Sequence, residues 1–254
     1  MNTLDLAGHG PVIPVIVIDR VEDAVPLARA LVAGGVKVLE VTLRTPAALD
    51  CIKAMIAEVP EAIVGAGTVR SIADAQAAKD AGCQFAVSPG YTPEIGRACL
   101  DIGLPLLPGV STASEVMMAN ADGYRFLKLF PATAVGGVNL LKAFASPFHD
   151  VVFCPTGGID VAKAPNYLAL PNVACVGGSW MVPAKTVDAG DFAAIVHDVV
   201  RGRYTDVQLS AFLTATAALP LDEGFLPGGT FLAPRLLRTG HDPRETPTHS
   251  RGES

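Results

Sequence analysis

Two patterns of apolar residues alternate along the chain. Short runs are apolar almost throughout: Ile13–Ile18, Val36–Val41, Ala62–Gly65, Gln84–Val87, Leu104–Leu107, Phe126–Phe130, Val151–Cys154 and Val173–Val176. Between them lie longer segments, such as VEDAVPLARALVAGG and SIADAQAAKDAG, whose apolar positions recur at the helical period. The runs have the length of strands, and strands apolar on both sides belong in a sheet covered on both faces. Several helical segments open on Ser71, Thr92, Thr112 or Asp160, whose oxygens can accept from free first-turn N–H groups. Several close on Gly34, Gly82 or Gly103. Eight strand–helix units, each of roughly 20–25 residues, predict an α/β fold of parallel strands joined by helices. Eight units favour a closed (β/α)8 TIM barrel, with an open doubly wound sheet as the alternative. No G-x-G-x-x-G follows the first run, which argues against a Rossmann nucleotide site.

The pattern places a single barrel domain over residues 1–204, its last helix near Ala189–Arg201. Residues 205–254 form a C-terminal extension of different character. A short helix is expected at Val207–Ala218, then Gly/Pro-rich chain, then a polar tail (PRLLRTGHDPRETPTHSRGES) with no apolar face, which reads as irregular or disordered.

Composition narrows the function classes. Half of the 254 residues are hydrophobic and 17 % are charged, so the chain is rich in core. The net charge is −6 and no basic patch or basic amphipathic helix stands out. Neither a nucleic acid nor a membrane surface is therefore an expected partner. The N-terminus has no basic region followed by an apolar core, no apolar run reaches the ~18 residues of a membrane helix, and the expected compartment is the cytoplasm. Five cysteines without a C-x-x-C pair read as buried reduced thiols. Five histidines form no ligand-spaced cluster, and no metal site is expected.

The chemistry is expected at the C-terminal ends of the strands, where barrel active sites form. One residue breaks the apolar pattern most sharply: Lys128, in the middle of FLKLF (126–130). Side chains alternate along a strand, so Phe126, Lys128 and Phe130 share the inward face while Leu127 and Leu129 point to the helices. The same parity in KVLEVTLRT puts Val38, Glu40 and Thr42 inward, with Arg44 following if the strand stays extended. Apolar flanks disfavour a charged ammonium. A neutral amine condenses with a carbonyl, and the resulting iminium is an electron sink for breaking a neighbouring C–C bond. Glu40 can move the protons this needs. A buried Lys128–Glu40 ion pair without catalytic role is the competing account. The remaining strand ends offer anion-binding parts: Thr68 in GAGT, SPG (88–90), and Gly-Gly loops in CPTGGI (154–159) and VGGSW (176–180), where Ser179 adds a hydroxyl. Arg44 suits a carboxylate, because its planar fork can bind both oxygens.

The set LEVTLRT (39–45), GAGTV (65–69), SPG (88–90), LPGV (107–110), FLKLFPA (126–132), PTGGI (155–159) and GGSW (177–180) resembles the bacterial 2-dehydro-3-deoxy-phosphogluconate (KDPG) aldolases. That family also covers 4-hydroxy-2-oxoglutarate (KHG) aldolase activity. The resemblance runs in order from about Pro11 to Arg203. It implies a class I aldolase of the Entner–Doudoroff pathway, a homotrimeric (β/α)8 barrel needing no metal or other cofactor. By resemblance, Lys128 forms the Schiff base with pyruvate and Glu40 transfers protons. Arg44 and Thr68 hold the pyruvate carboxylate, and Thr156 lies near the substrate. Gly157, Gly158, Gly178 and Ser179 cradle a phosphate, and Phe130 and Pro89 wall the pocket. A phosphosugar isomerase or phosphate-binding barrel, with Glu40 as base and no covalent step, is the alternative. Two departures stand out: the segment before Pro11 is short for a helix that plugs a barrel base, and residues beyond about 205 have no counterpart.

Overall fold

The computed structural model describes residues 3–195, and the helix expected at Val207–Ala218 and the whole extension 205–254 lie outside them. A 3-10 helix, Thr3–His9, comes first, and after it strands and helices alternate. The first half runs β1 (Val12–Ile16), α1 (Ala24–Ala33), β2 (Val38–Thr42), α2 (Ala48–Glu58), β3 (Ile63–Gly67), α3 (Ile72–Asp80), β4 (Phe85–Val87) and α4 (Pro93–Asp101). The second half runs β5 (Leu106–Leu107), β6 (Gly109–Val110), α5 (Ala113–Ala121), β7 (Phe126–Leu129), α6 (Gly137–Phe144), β8 (Val152–Pro155), α7 (Ala164–Leu168), β9 (Val176–Gly178) and α8 (Ala184–Asp188).

Every pairing is parallel, as expected for strands joined by helices. Six strands form one sheet in the order β5-β4-β3-β2-β1-β9, and three form another in the order β6-β7-β8. Isolated parallel bridges, Phe153 with Val173 and Thr156 with Gly177, link the β8 segment to the β9 segment. β5 and β6 are separated by Pro108, which has no N–H to give a ladder. Its carbonyl still accepts from Lys128 N at 2.8 Å.

Strand parity divides the core as expected. Val38, Phe85, Val87, Leu107, Phe126 and Cys154 collect in one cluster drawn from both sheets. Their neighbours Leu39, Val41, Ala86, Leu106, Leu127, Leu129 and Phe153 pack in the larger cluster with the helices. The N-terminal segment forms a seven-residue 3-10 helix, and its Leu6 and Ala7 are buried in the first cluster.

Most caps follow the expected chemistry. Ser71 and Thr92 accept from Asp74 N and Ile95 N, and Thr112 forms a capping box with Glu115. Gly34 caps α1, with the left-handed Gly35 after it, and left-handed glycines follow α3 and α4 at Gly82 and Gly103. One expectation needs correction. α7 begins at Ala164 rather than at Asp160, whose carboxylate instead accepts from Lys163 N and closes a turn. Near the end a short α8 lies before Ala189, and residues 192–195 are again helical; the helix expected at Ala189–Arg201 lies outside the described residues from position 196 on.

Candidate active site

The centre of the site is a hydrogen bond between the two sheets. Lys128 Nζ on β7 donates to Glu40 Oε1 on β2 at 3.2 Å, and the side chains are only 5 % and 3 % exposed. A buried cation is tolerated only where a partner offsets its lost hydration. The Lys128 ammonium also lies 5.3 Å from the Phe130 ring centroid. Lys128 sits between Gly109 of β6 and Cys154 of β8 in the ladder, so its backbone is held from both sides.

Room for Glu40 comes from β3. A Cβ added at Gly67 would lie 2.7 Å from Glu40 Cγ and 2.9 Å from Cδ, far inside contact distance. Sequence reasoning missed Gly67, because a glycine shows its use only once its neighbour's side chain is placed.

Arg44 reaches the site by a different route from the expected one. β2 ends at Thr42, and Arg44 N donates to Thr42 O at 2.8 Å, so the strand bends before parity carries Arg44 inward. The exposed guanidinium then donates through Nε to Thr68 Oγ1 at 3.0 Å. Thr68 has φ +61°, a left-handed conformation that costs a β-branched residue energy and recurs at functional sites. The hydroxyl that meets Arg44 thus sits on a left-handed residue, one position after Gly67.

Pro89 is half-buried against Gly109, where any side chain would collide with the Pro89 backbone. Thr156 is buried at the end of β8, and its hydroxyl donates to Cys154 O at 3.4 Å. Gly157 and Gly158 follow with φ +103° and +73°, a true glycine turn. Gly157 abuts the Phe130 ring, which also neighbours the Lys128 amine.

The second Gly-Gly pair differs from the expected loop. Gly177 and Gly178 lie within the β1–β9 pairing, opposite Ile13 and Pro14. Gly177 leaves space for Thr156, whose Cγ2 would lie 2.9 Å from an added Cβ. The space beside Gly178 is filled by the Trp180 ring, so Gly178 can offer a ligand only its backbone. Ser179 is exposed just beyond.

Other nucleophiles are less suited. All five cysteines are free and buried. Burial pushes the thiols of Cys51 and Cys99 up to about 11 and that of Cys83 up to about 12. The Cys175 thiol is raised by its hydrogen bond with Cys154 and then by burial. Few of these are thiolates near neutrality. Among the described residues, no group of three His, Cys, Asp or Glu side chains could hold a metal, and no helix is long and apolar enough to cross a membrane.

Comparison with known proteins gives the same motifs a lineage. The family model for KDPG and KHG aldolases matches residues 5–197. The KHG/KDPG aldolase of Escherichia coli (strain K12) is 55 % identical over 186 residues, 73 % of this chain and 87 % of that protein. A crystal structure of KDPG aldolase from Legionella pneumophila, with pyruvate captured at low pH as a covalent carbinolamine intermediate, superposes with a TM-score of 0.78. It is 45 % identical and covers 79 % of this chain and 98 % of its own. The Zymomonas mobilis ZM4 enzyme, crystallised with 3-phosphoglycerate, gives a TM-score of 0.73 at 48 % identity, covering 78 % of this chain and 95 % of its own. The chain therefore belongs to the KDPG and KHG aldolase family.

Proposed function

We propose that this protein is a class I aldolase that splits 2-dehydro-3-deoxy-6-phosphogluconate into pyruvate and glyceraldehyde 3-phosphate. It also splits 4-hydroxy-2-oxoglutarate into pyruvate and glyoxylate. The observation that carries this reading is the buried Lys128 amine held 3.2 Å from the Glu40 carboxylate. The covalent pyruvate adduct of the Legionella relative supports it.

The reaction follows from that pair. Lys128 passes a proton to Glu40 across this hydrogen bond, and the freed lone pair attacks C2 of the substrate. The carbinolamine hydroxyl takes that proton back from Glu40 and leaves as water, giving an iminium and a Glu40 carboxylate. Glu40, directly or through a water, takes the C4 hydroxyl proton as the C3–C4 bond breaks. The aldehyde departs, and the bonding electrons enter the iminium as an enamine. The enamine takes a proton at C3, and water then releases pyruvate and restores the amine. Arg44 and Thr68 hold the pyruvate carboxylate, and Phe130 and Pro89 wall the pocket. Thr156 lies beside the bound substrate. Gly157, Gly158, Gly178 and Ser179 offer backbone and hydroxyl donors to the phosphate.

In this reading the two sheets are arcs of one eight-stranded barrel, with β5 and β6 counted as a single strand broken at Pro108. The bridges between the β8 and β9 segments support closure. The barrel occupies residues 1–204 and acts as a cytoplasmic homotrimer, with 205–254 as an extension. Removing 206–254 should leave turnover near that of the full chain; an inactive truncation would give the extension a structural part. Light scattering should give three chains per particle.

Borohydride reduction in the presence of pyruvate tests the central claim. A reduced pyruvyl adduct mapped to Lys128 by peptide mass is expected. A folded protein that gives no adduct would instead point to a non-covalent phosphosugar isomerase or binding barrel.

A further inference from the structure

We propose that Gly67 is a positioning residue for the reaction: its missing side chain is the space that holds the Glu40 carboxylate toward Lys128. The inference rests on the proton-transfer part given to Glu40 above. Residues 65 and 67 share one face of β3, and both are glycine, whereas Val64 and Ala66 on the other face pack with the helices. This strand therefore presents a bare strip, and its neighbours fill it from both sides. Glu40 is paired with Gly65 and Thr42 with Gly67, so the Glu40 side chain leans one step along the strand to lie over Gly67.

The two glycines serve different neighbours. The three atoms nearest an added Cβ at Gly67 all belong to Glu40, at its Oε1, Cγ and Cδ. At Gly65 all three belong to the Phe85 ring, at 2.5 Å. Gly67 is not among the residues with positive φ, so an L-residue fits its backbone. Alanine at 67 leaves the ladder intact and conflicts with a flexible side chain that can swing aside. The carboxylate then leaves its place opposite the amine. Alanine at 65 instead meets a rigid core ring and acts on stability.

The test uses the full chain and follows deuterium exchange from solvent into the pyruvate methyl, alongside borohydride trapping. Gly67→Ala should lose about ten- to a hundredfold in exchange, the scale of a small misplacement at a reacting centre, yet still trap pyruvate on Lys128. Adding Glu40→Gln to Gly67→Ala should slow exchange no further than Glu40→Gln alone. Adding Glu40→Asp should restore part of the loss, because the shorter side chain clears the new methyl. Gly65→Ala should lower the melting temperature with a smaller effect on exchange per molecule folded. Wild-type exchange in Gly67→Ala beside slow exchange in Glu40→Gln overturns the proposal and leaves the part of Glu40 standing. Wild-type exchange in Glu40→Gln removes that part and the proposal with it. If Gly67→Ala does not fold, recovery of folding by Glu40→Asp supports the steric relation, and no recovery overturns it.

Discussion

The mouth of this site is built in two ways. The β2 and β7 side presents two buried side chains, Lys128 and Glu40, aimed at each other from different sheets. The β8 and β9 side presents mainly glycines, with backbone groups and the space that absent side chains leave. In the function proposed above, the first region does the same chemistry on any 2-oxo acid, and the second meets the far end of the substrate, where a phosphorylated acceptor differs from a small one. On that proposal, mutation should separate the covalent step from the choice of substrate.

The largest effect should come from removing the amine. Lys128→Gln, which keeps a hydrogen-bond donor toward Glu40, should cut turnover by about a thousandfold or more for every substrate and abolish trapping. Aldol cleavage retained in that variant would sink the division. Glu40→Gln should slow pyruvate proton exchange by about a hundredfold or more, again regardless of the acceptor. A loss confined to phosphorylated substrates would move Glu40 to the other side of the comparison. Gly158→Ala forces a side chain onto a residue at φ +73°, 2.8 Å from Thr133 Cβ. It should cost about 1–3 kcal/mol of stability in a denaturant titration and raise KM for the phosphorylated acid. An unchanged midpoint would mean that the turn relaxes freely. Ser179→Ala is the mildest change, the loss of one exposed donor. It should weaken phosphorylated substrates by about tenfold or less and leave 4-hydroxy-2-oxoglutarate untouched. Equal losses on both would take Ser179 out of phosphate recognition.

Much of the first region was legible in the sequence, because a charge in an apolar run is conspicuous and a strand's period of two fixes its direction. The parity of FLKLF and LEVT put Lys128 and Glu40 inward, with Val38 and Phe126 in the inner cluster. Parity failed at Arg44, where the chain turns two residues after the last ladder position. The second region was harder to read, since Gly-Gly has the same letters whether it relieves backbone strain or leaves room. Residues 157–158 do the former, whereas 177–178 sit in a strand beside Thr156 and Trp180. Gly67 was silent for the same reason. Its meaning lies in the register of β2 on β3, which the letters do not state.

The Lys128–Glu40 link joins residues 88 positions apart in the chain, one on each of the two sheets. A contact of that separation carries a loop-closure cost that local helix contacts do not, so it should form after the helices. Pyruvate capture would then report on that later stage of assembly. In a refolding experiment helical signal should return first, and the capacity to capture pyruvate only when the two sheets have met.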